Sequence, residues 1–315
     1  PQLRELDAVQ LARRLKKEAK ALASIAPERA DSARPAQPAT ASGHHALSEE
    51  QTLALAALET ASAPVLLYGA TGSGKTEVYL RATERVLNAP AVDGVPTQVL
   101  VMVPEINLTP QLEARFRERF EPLCGAGAVV SLHSGMTPAQ RLTSWLAAHT
   151  GTARIVLGTR MAVLASMPKL RLIVVDEEHD PSYKQQEGAR YSARDLAVYR
   201  ARLEGLTTSE AQADTPAPAV SPSPSPKSCS VILGSATPSL ESWQATLVGR
   251  YQRLSMHERI GSADQTAGSL PTVRLVDMNH QPKHCTLAPP LLAAIAQRIA
   301  RGEQSLIFLN RRGYA

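Results

Sequence analysis

Between Leu47 and about Leu206 the chain alternates short apolar runs with longer segments of mixed polarity. "PVLLYG", "QVLVMVP", "AVVSLH", "ARIVLGT" and "RLIVVDEE" read as strands, and the segments between them carry helical patterns. Such alternation predicts an α/β fold, with parallel strands joined by crossover helices that cover both faces of the sheet. Ligands of such sheets lie at the carboxyl ends of the strands. After a break at 207–229, "SVILGSATPS" resumes the pattern, so it belongs to the same domain.

The flanks read differently. Leu3, Leu6, Leu11, Leu15 and Leu22 fall at roughly helical spacing, with Lys16, Lys17 and Lys20 on the wetter side. That is a surface helix or a DNA-contacting one. Residues 26–46 are rich in Ala, Pro and Ser and read as a linker. The 207–229 stretch is Pro- and Ser-rich, predicting a disordered insert that cannot bury enough apolar surface to order itself. From 261 to 315, "TVRLVDM", a helix over 289–301 and "SLIFLN" predict the start of a second, truncated α/β unit. The chain begins at Pro1 and stops at Ala315, just after a strand-like run, which reads as a piece of something longer.

Composition narrows the picture only slightly. The 315 residues are 43% hydrophobic, enough for about two domains with real cores. A net charge of +5 suits an anionic partner such as nucleic acid, but is common in ordinary proteins too. Cys124, Cys229 and Cys285 form no C-x-x-C pair, so neither a zinc site nor a disulfide framework is indicated. With no long apolar span and no leader pattern, a cytoplasmic protein without a membrane partner is expected.

The chemistry is concentrated in three places. "GATGSGKT" (69–76) matches G-x-x-x-x-G-K-[ST] between a strand and a helix. Gly69, Ala70, Thr71, Gly72, Ser73 and Gly74 are expected to cradle phosphates with backbone N–H groups. Lys75 would meet the β- and γ-phosphates, and Thr76 would offer a hydroxyl to Mg²⁺. ATP with Mg²⁺ is the predicted cofactor pair. Asp176 and Glu177 close the strand "LIVV": Asp176 would hold Mg²⁺, and Glu177 would orient and deprotonate the attacking water. With Lys75 and Thr76 they form the expected catalytic set. Glu178 and His179 complete a D-E-x-H signature, and His179 is either a coupling residue or a plain core histidine. In "GSATP", Gly234, Ser235, Ala236 and Thr237 could relay the state of the γ-phosphate by switching hydrogen bonds. Gln51 in "LSEEQ" either closes a capping box with Ser48 or reads an adenine edge.

These residues resemble one family. "GATGSGKTEVYL", "VMVPEINLTPQL", "VLGTRMAVLASM", "VVDEEHDPSYKQQEGARYSARDLAVYRA", "GSATPSLES" and "LIFLNRRGYA" are similar to the primosomal protein N′ (PriA) family of superfamily 2 helicases, over about residues 47–315 apart from the insert. The resemblance implies a RecA-like lobe at 47–260, the entry to a second RecA-like lobe at 261–315, and residues 1–25 as the tail of an amino-terminal DNA-binding region. It implies an ATP-dependent 3′-to-5′ DNA helicase that recognises forks and D-loops, starts primosome assembly and helps reload the replicative helicase. Single-stranded DNA-binding protein and other primosome proteins are its implied partners. Two zinc ions are implied for the longer protein, with ligands outside this sequence. Without the second lobe's arginine finger, the piece alone is expected to hydrolyse ATP poorly.

The resemblance also assigns DNA contacts. Thr109, in the first motif after the P-loop, and Gly158, Thr159 and Arg160, in the next, would meet phosphates without reading sequence. Arg160 either does this or pairs within the lobe. The segment behind the acids corresponds to an aromatic-rich loop that senses single-stranded DNA. There Tyr183 and Tyr191 would stack on bases, and Lys184, Arg190 and Arg194 would meet the backbone. The family's tryptophan in this loop is replaced by Ala189. Another superfamily 2 translocase, or a DNA-binding scaffold with a vestigial P-loop, are the competing readings.

Overall fold

A computed structural model describes residues 46–89, 96–213, 229–258, 273–282 and 285–308, with four further positions at 12, 13, 16 and 17. Of 205–213 it describes the backbone only. The chain divides into two compact units, Pro1–Ser262 and Ala263–Ala315.

The first unit is built on a seven-stranded sheet. Its strands are β1 (Val65–Gly69), β2 (Gln98–Met102), β3 (Val129–Leu132), β4 (Ile155–Gly158), β5 (Leu170–Val175), β8 (Ser230–Ser235) and β9 (Gln252–Met256), in the spatial order β3-β4-β2-β5-β8-β1-β9. Every pairing in it is parallel. A two-stranded antiparallel ribbon, β6 (Lys184–Gln185) and β7 (Tyr191–Ser192), stands apart from it. Helices α1 (Glu49–Thr60), α2 (Lys75–Asn88), α3 (Pro110–Cys124), α4 (Pro138–Thr150), α5 (Ala193–Ala213) and α6 (Leu240–Leu247) connect the strands.

The strands alternate their side chains between two cores, as a pleated backbone requires. Leu67, Val99, Val101 and Val174 face Leu55 of α1, Val78 of α2, and Phe116 and Phe120 of α3. Leu66, Leu100, Met102, Ile173 and Leu233 face the opposite way, toward Ala148 of α4 and Ala193, Ala197 and Ala201 of α5. Because both faces are covered, the strands are apolar at nearly every position, which is why they were visible as uninterrupted runs. β9 was not anticipated. It is an edge strand with half-exposed polar positions, so its sequence lacks that run.

Helix starts follow local chemistry. Ser48 and Gln51 form a capping box on α1, Thr137 and Gln140 form another on α4, and both α3 and α4 begin with proline.

Two expectations change. The helix α5 continues to Ala213, so 207–213 is not part of a structureless insert; an unbroken ladder of i→i−4 bonds carries the chain beyond the apolar pattern that marked its start. Residues 214–228 lie outside the described residues, as do 18–45 and the amino-terminal helix except at its four described positions. In the second unit, "TVRLVDM" and "SLIFLN" form no strand among the described residues. A strand exists only with a partner for its N–H and C=O groups, and here Leu275 and Leu306 are almost fully exposed. The helix α7 (Pro289–Ala300) is present, close to its expected bounds.

Candidate active site

The site forms where β1, β5 and β8 end side by side. After β1 the backbone turns through Gly72 (φ 86°) and Gly74 (φ 83°), left-handed conformations that favour glycine. Gly74 is the residue at which α2 starts. Lys75 is buried, and its Nζ donates to the carbonyls of Gly69 (2.7 Å) and Ala70 (3.3 Å), so the ammonium lies folded over the loop. Ser73 Oγ is buried with no hydrogen-bond partner, and a Cβ on Gly69 would stand only 2.7 Å from it.

The acids follow β5. Asp176 N–H donates to Met102 O (2.9 Å), and Glu178 N–H donates to Gly234 O (3.0 Å), which ties the turn to β2 and β8. Between them Glu177 has φ 45°, the single non-glycine residue with positive φ among those described. Such a conformation costs about 1–3 kcal/mol and persists only where the surroundings enforce it. Here the two flanking backbone bonds do so. Burial, with Glu177 beside it, raises the Asp176 carboxyl above the usual carboxylate range, opposed by the Tyr79 hydroxyl and by Lys75.

Two tyrosines converge on Asp176. Tyr79, one turn along α2 from Lys75, donates its hydroxyl to Asp176 Oδ1 (3.0 Å). Tyr183 donates its hydroxyl to the main-chain carbonyl of Asp176 (2.7 Å). Burial first, then the Asp176 charge, raises both phenols well above their ordinary value, so both remain protonated donors.

The motif "GSATP" meets the acids from β8. His179 Nδ1 lies 2.8 Å from Ser235 Oγ and 3.6 Å from Glu177 Oε2, and Thr237 Oγ1 lies 3.3 Å from His179 Nε2. The Ser235 hydroxyl also accepts the Thr237 N–H at 3.0 Å. The structure thus brings His179, Ser235 and Thr237 into one chain of contacts that ends at Glu177. Gly234 plays a different part: its own Cβ would collide with the Tyr79 hydroxyl.

Several residues expected at ligands sit elsewhere. Gln51 closes the capping box through Oε1, which accepts Ser48 N–H (2.9 Å), while its Nε2 donates to Gly74 O (3.1 Å). It is 1% exposed, so it supports the P-loop from behind and has no surface left for an adenine edge. Tyr183 is equally buried and cannot stack on a base. Arg194 is buried and donates to Glu178 Oε2 (3.2 Å), Ser239 Oγ (2.7 Å) and Asp195 Oδ1 (2.8 Å), so it is not free for a phosphate. Gly158 and Thr159 are buried as well: a Cβ on Gly158 would lie 2.3 Å from Ala162 Cβ, and Thr159 N–H donates to Leu132 O. Arg160 pairs within the lobe, donating to Ser182 O (2.8 Å) and Lys184 O (3.3 Å). The Thr109 hydroxyl caps α3 by accepting Leu112 N–H. Lys184 and Arg190 are exposed, and Tyr191 is half-buried against the core.

The residues that sequence reasoning missed are those holding this arrangement. Glu178, 1% exposed, accepts Ser239 N–H (2.7 Å), the Ser239 hydroxyl (3.0 Å), the Ser242 hydroxyl (2.8 Å) and Arg194. A third consecutive acid directly behind an apolar strand was the available signal that one of them points inward.

The sequence profile of DEAD/DEAH box helicases matches residues 48–246. The chain belongs to the DEAD/DEAH box helicase family. It is PriA-like in sequence: it is 36% identical over 253 residues to the replication restart protein PriA of Bacillus subtilis, covering 79% of this chain and 27% of that protein. It is 40% identical over 250 residues to PriA of Haemophilus influenzae, covering 79% of this chain and 29% of that one. The chain therefore spans under a third of the length of these two relatives. Among solved structures, the DUF1998 helicase MrfA bound to DNA superposes with a TM-score of 0.43 at 15% identity, covering 68% of this chain and 27% of that one.

Family membership implies a nucleotide with magnesium, and the residues fit both. The unpartnered Ser73 hydroxyl and the Lys75 ammonium belong to the loop that would cradle the phosphates, and Asp176 is tied to the first turns of α2 through its bond to Tyr79. Magnesium would neutralise charge on the phosphates. Among the described residues no group of three or more His, Cys, Asp or Glu is placed to hold a metal ion by itself, and no helix is long and apolar enough to cross a membrane.

Proposed function

We propose that this chain is the ATP-binding lobe of a 3′-to-5′ DNA helicase of replication restart, which recognises forks and D-loops and acts with other primosome proteins in the cytoplasm. In this reading Lys75 and Thr76 hold the phosphates and magnesium, Asp176 serves the same ion, and Glu177 takes the proton of the attacking water. The exposed ribbon that carries Lys184 and Arg190 meets single-stranded DNA, with Tyr191 beside it. The zinc ions of the complete protein belong to segments outside this chain.

One observation carries the reading: Asp176 is bonded to α2 through Tyr79 and to the root of the ribbon through Tyr183. A displacement of the ribbon therefore reaches the magnesium-side acid through a single hydroxyl. His179, Ser235 and Thr237 provide the complementary path from Glu177 to β8.

The test is ATP hydrolysis by the complete protein with forked DNA, with RNA and without nucleic acid, beside Lys75→Ala. Forked DNA stimulates turnover, RNA does not, and Lys75→Ala lowers the stimulated rate by roughly 10²–10³-fold, as expected for removing one charge from the transition-state cradle. Equal stimulation by RNA would contradict the substrate, and full activity of Lys75→Ala would contradict the site.

A further inference from the structure

We propose that Tyr79 is a positioning residue that fixes the Asp176 carboxylate for magnesium-nucleotide binding, and that position 234 is glycine to admit its hydroxyl. This inference rests on the reading above that Asp176 serves the magnesium ion.

Tyr79 lies on the inner face of α2, 3% exposed, within the core between the sheet and α1–α3. Its ring reaches across the sheet edge, so that the hydroxyl meets Asp176 Oδ1 at 3.0 Å. A Cβ at Gly234 would stand 1.5 Å from Tyr79 Oη and 2.7 Å from Cζ. Neither distance is compatible with a side chain at 234, and the packed ring has nowhere to retreat. Three elements thus converge on one hydroxyl: the P-loop helix, the end of β5 and the end of β8.

The consequence is orientational. A carboxylate at the end of a strand can rotate about its side-chain torsions, and holding it in one rotamer removes an entropy cost from ligand binding. With Oδ1 accepting from a protonated phenol, Asp176 offers its other oxygen in a single orientation. The same hydroxyl ties the carboxylate to the helix that begins with Lys75 and Thr76, so phosphate-side and acid-side groups keep a fixed separation. A residue that only filled space would need the ring alone, and phenylalanine would serve.

The test uses Tyr79→Phe in the complete protein and a fluorescent ATP analogue, titrated with Mg²⁺ and with EDTA. The expected result is a loss of about 10-fold in the Mg²⁺-dependent part of the affinity, the size of a hydrogen bond to a charged group. Affinity in EDTA is expected to match the wild type. In the same assay Asp176→Asn abolishes the Mg²⁺ dependence, and Tyr79→Phe adds nothing in that background. If Tyr79→Phe keeps the wild-type Mg²⁺ dependence while Asp176→Asn loses it, the positioning role is wrong and the site reading stands. An equal loss with Mg²⁺ and EDTA would assign Tyr79 to packing alone, which also overturns the proposal. If Asp176→Asn retains the Mg²⁺ dependence, the site reading itself falls.

Discussion

The segment from Asp176 to Asp195 contains two kinds of structure within a few residues of each other. Its ends are locked into the domain: Glu178, Tyr183 and Arg194 are buried, and Arg160 clasps the carbonyls of Ser182 and Lys184. Its middle, from Gln186 to Arg190, is exposed and turns at Gly188 with φ 64°. Arginine occurs in both parts, buried at Arg194 and exposed at Arg190. The contrast teaches that, on the proposed reading, a loop that reports bound DNA needs fixed roots as well as a free tip, because a tip that moves without a rigid connection transmits nothing. The roots here carry the hydrogen bonds to the turn after β5, and the tip carries exposed charge.

The sharpest way to break this contrast is at a root. Arg194→Ala leaves Glu178 buried with its charge partner removed, a loss of about 3–5 kcal/mol. Urea unfolding of the complete protein should show the midpoint of this lobe shifted accordingly. A shift within the scatter of surface substitutions, about 0.5 kcal/mol, would mean that Arg194 is not a structural root.

The exposed charges of the ribbon and its tip should behave in the opposite way. Lys184→Ala with Arg190→Ala removes exposed charges, so stability stays within about 0.5 kcal/mol. Affinity for single-stranded DNA falls, and the salt dependence of binding flattens by about 1.4 units of slope if both cations contact phosphates, about 0.7 each. An unchanged slope would place the DNA elsewhere.

Much of this was legible beforehand, and the reasons for the exceptions are physical. Buried parallel strands and the P-loop are written in local sequence, since uniform apolarity and glycines at fixed offsets are what those structures require. That "GSATP" lies beside the acids was expected from the order of motifs, but its contacts with His179 were not. Nor was the burial of a polar side chain. Tyr183, Arg194 and Gln51 have exposed-type chemistry, and whether each faces water depends on partners 7, 16 and 23 positions away. Strand β9 was hidden for the converse reason, because an edge position tolerates polar residues. The second unit's runs resembled strands in sequence, yet among the described residues they have no partner to pair with.

The central claim is that the ribbon acts on Asp176 through the Tyr183 hydroxyl, and the direct measurement is the ratio of DNA-stimulated to unstimulated ATP hydrolysis in Tyr183→Phe. The ring still fills its buried site, and only the 2.7 Å bond to the Asp176 carbonyl is lost. The account predicts that the ratio falls by about 5-fold, the worth of one buried hydrogen bond, while affinity for single-stranded DNA is unchanged. A wild-type ratio would contradict it.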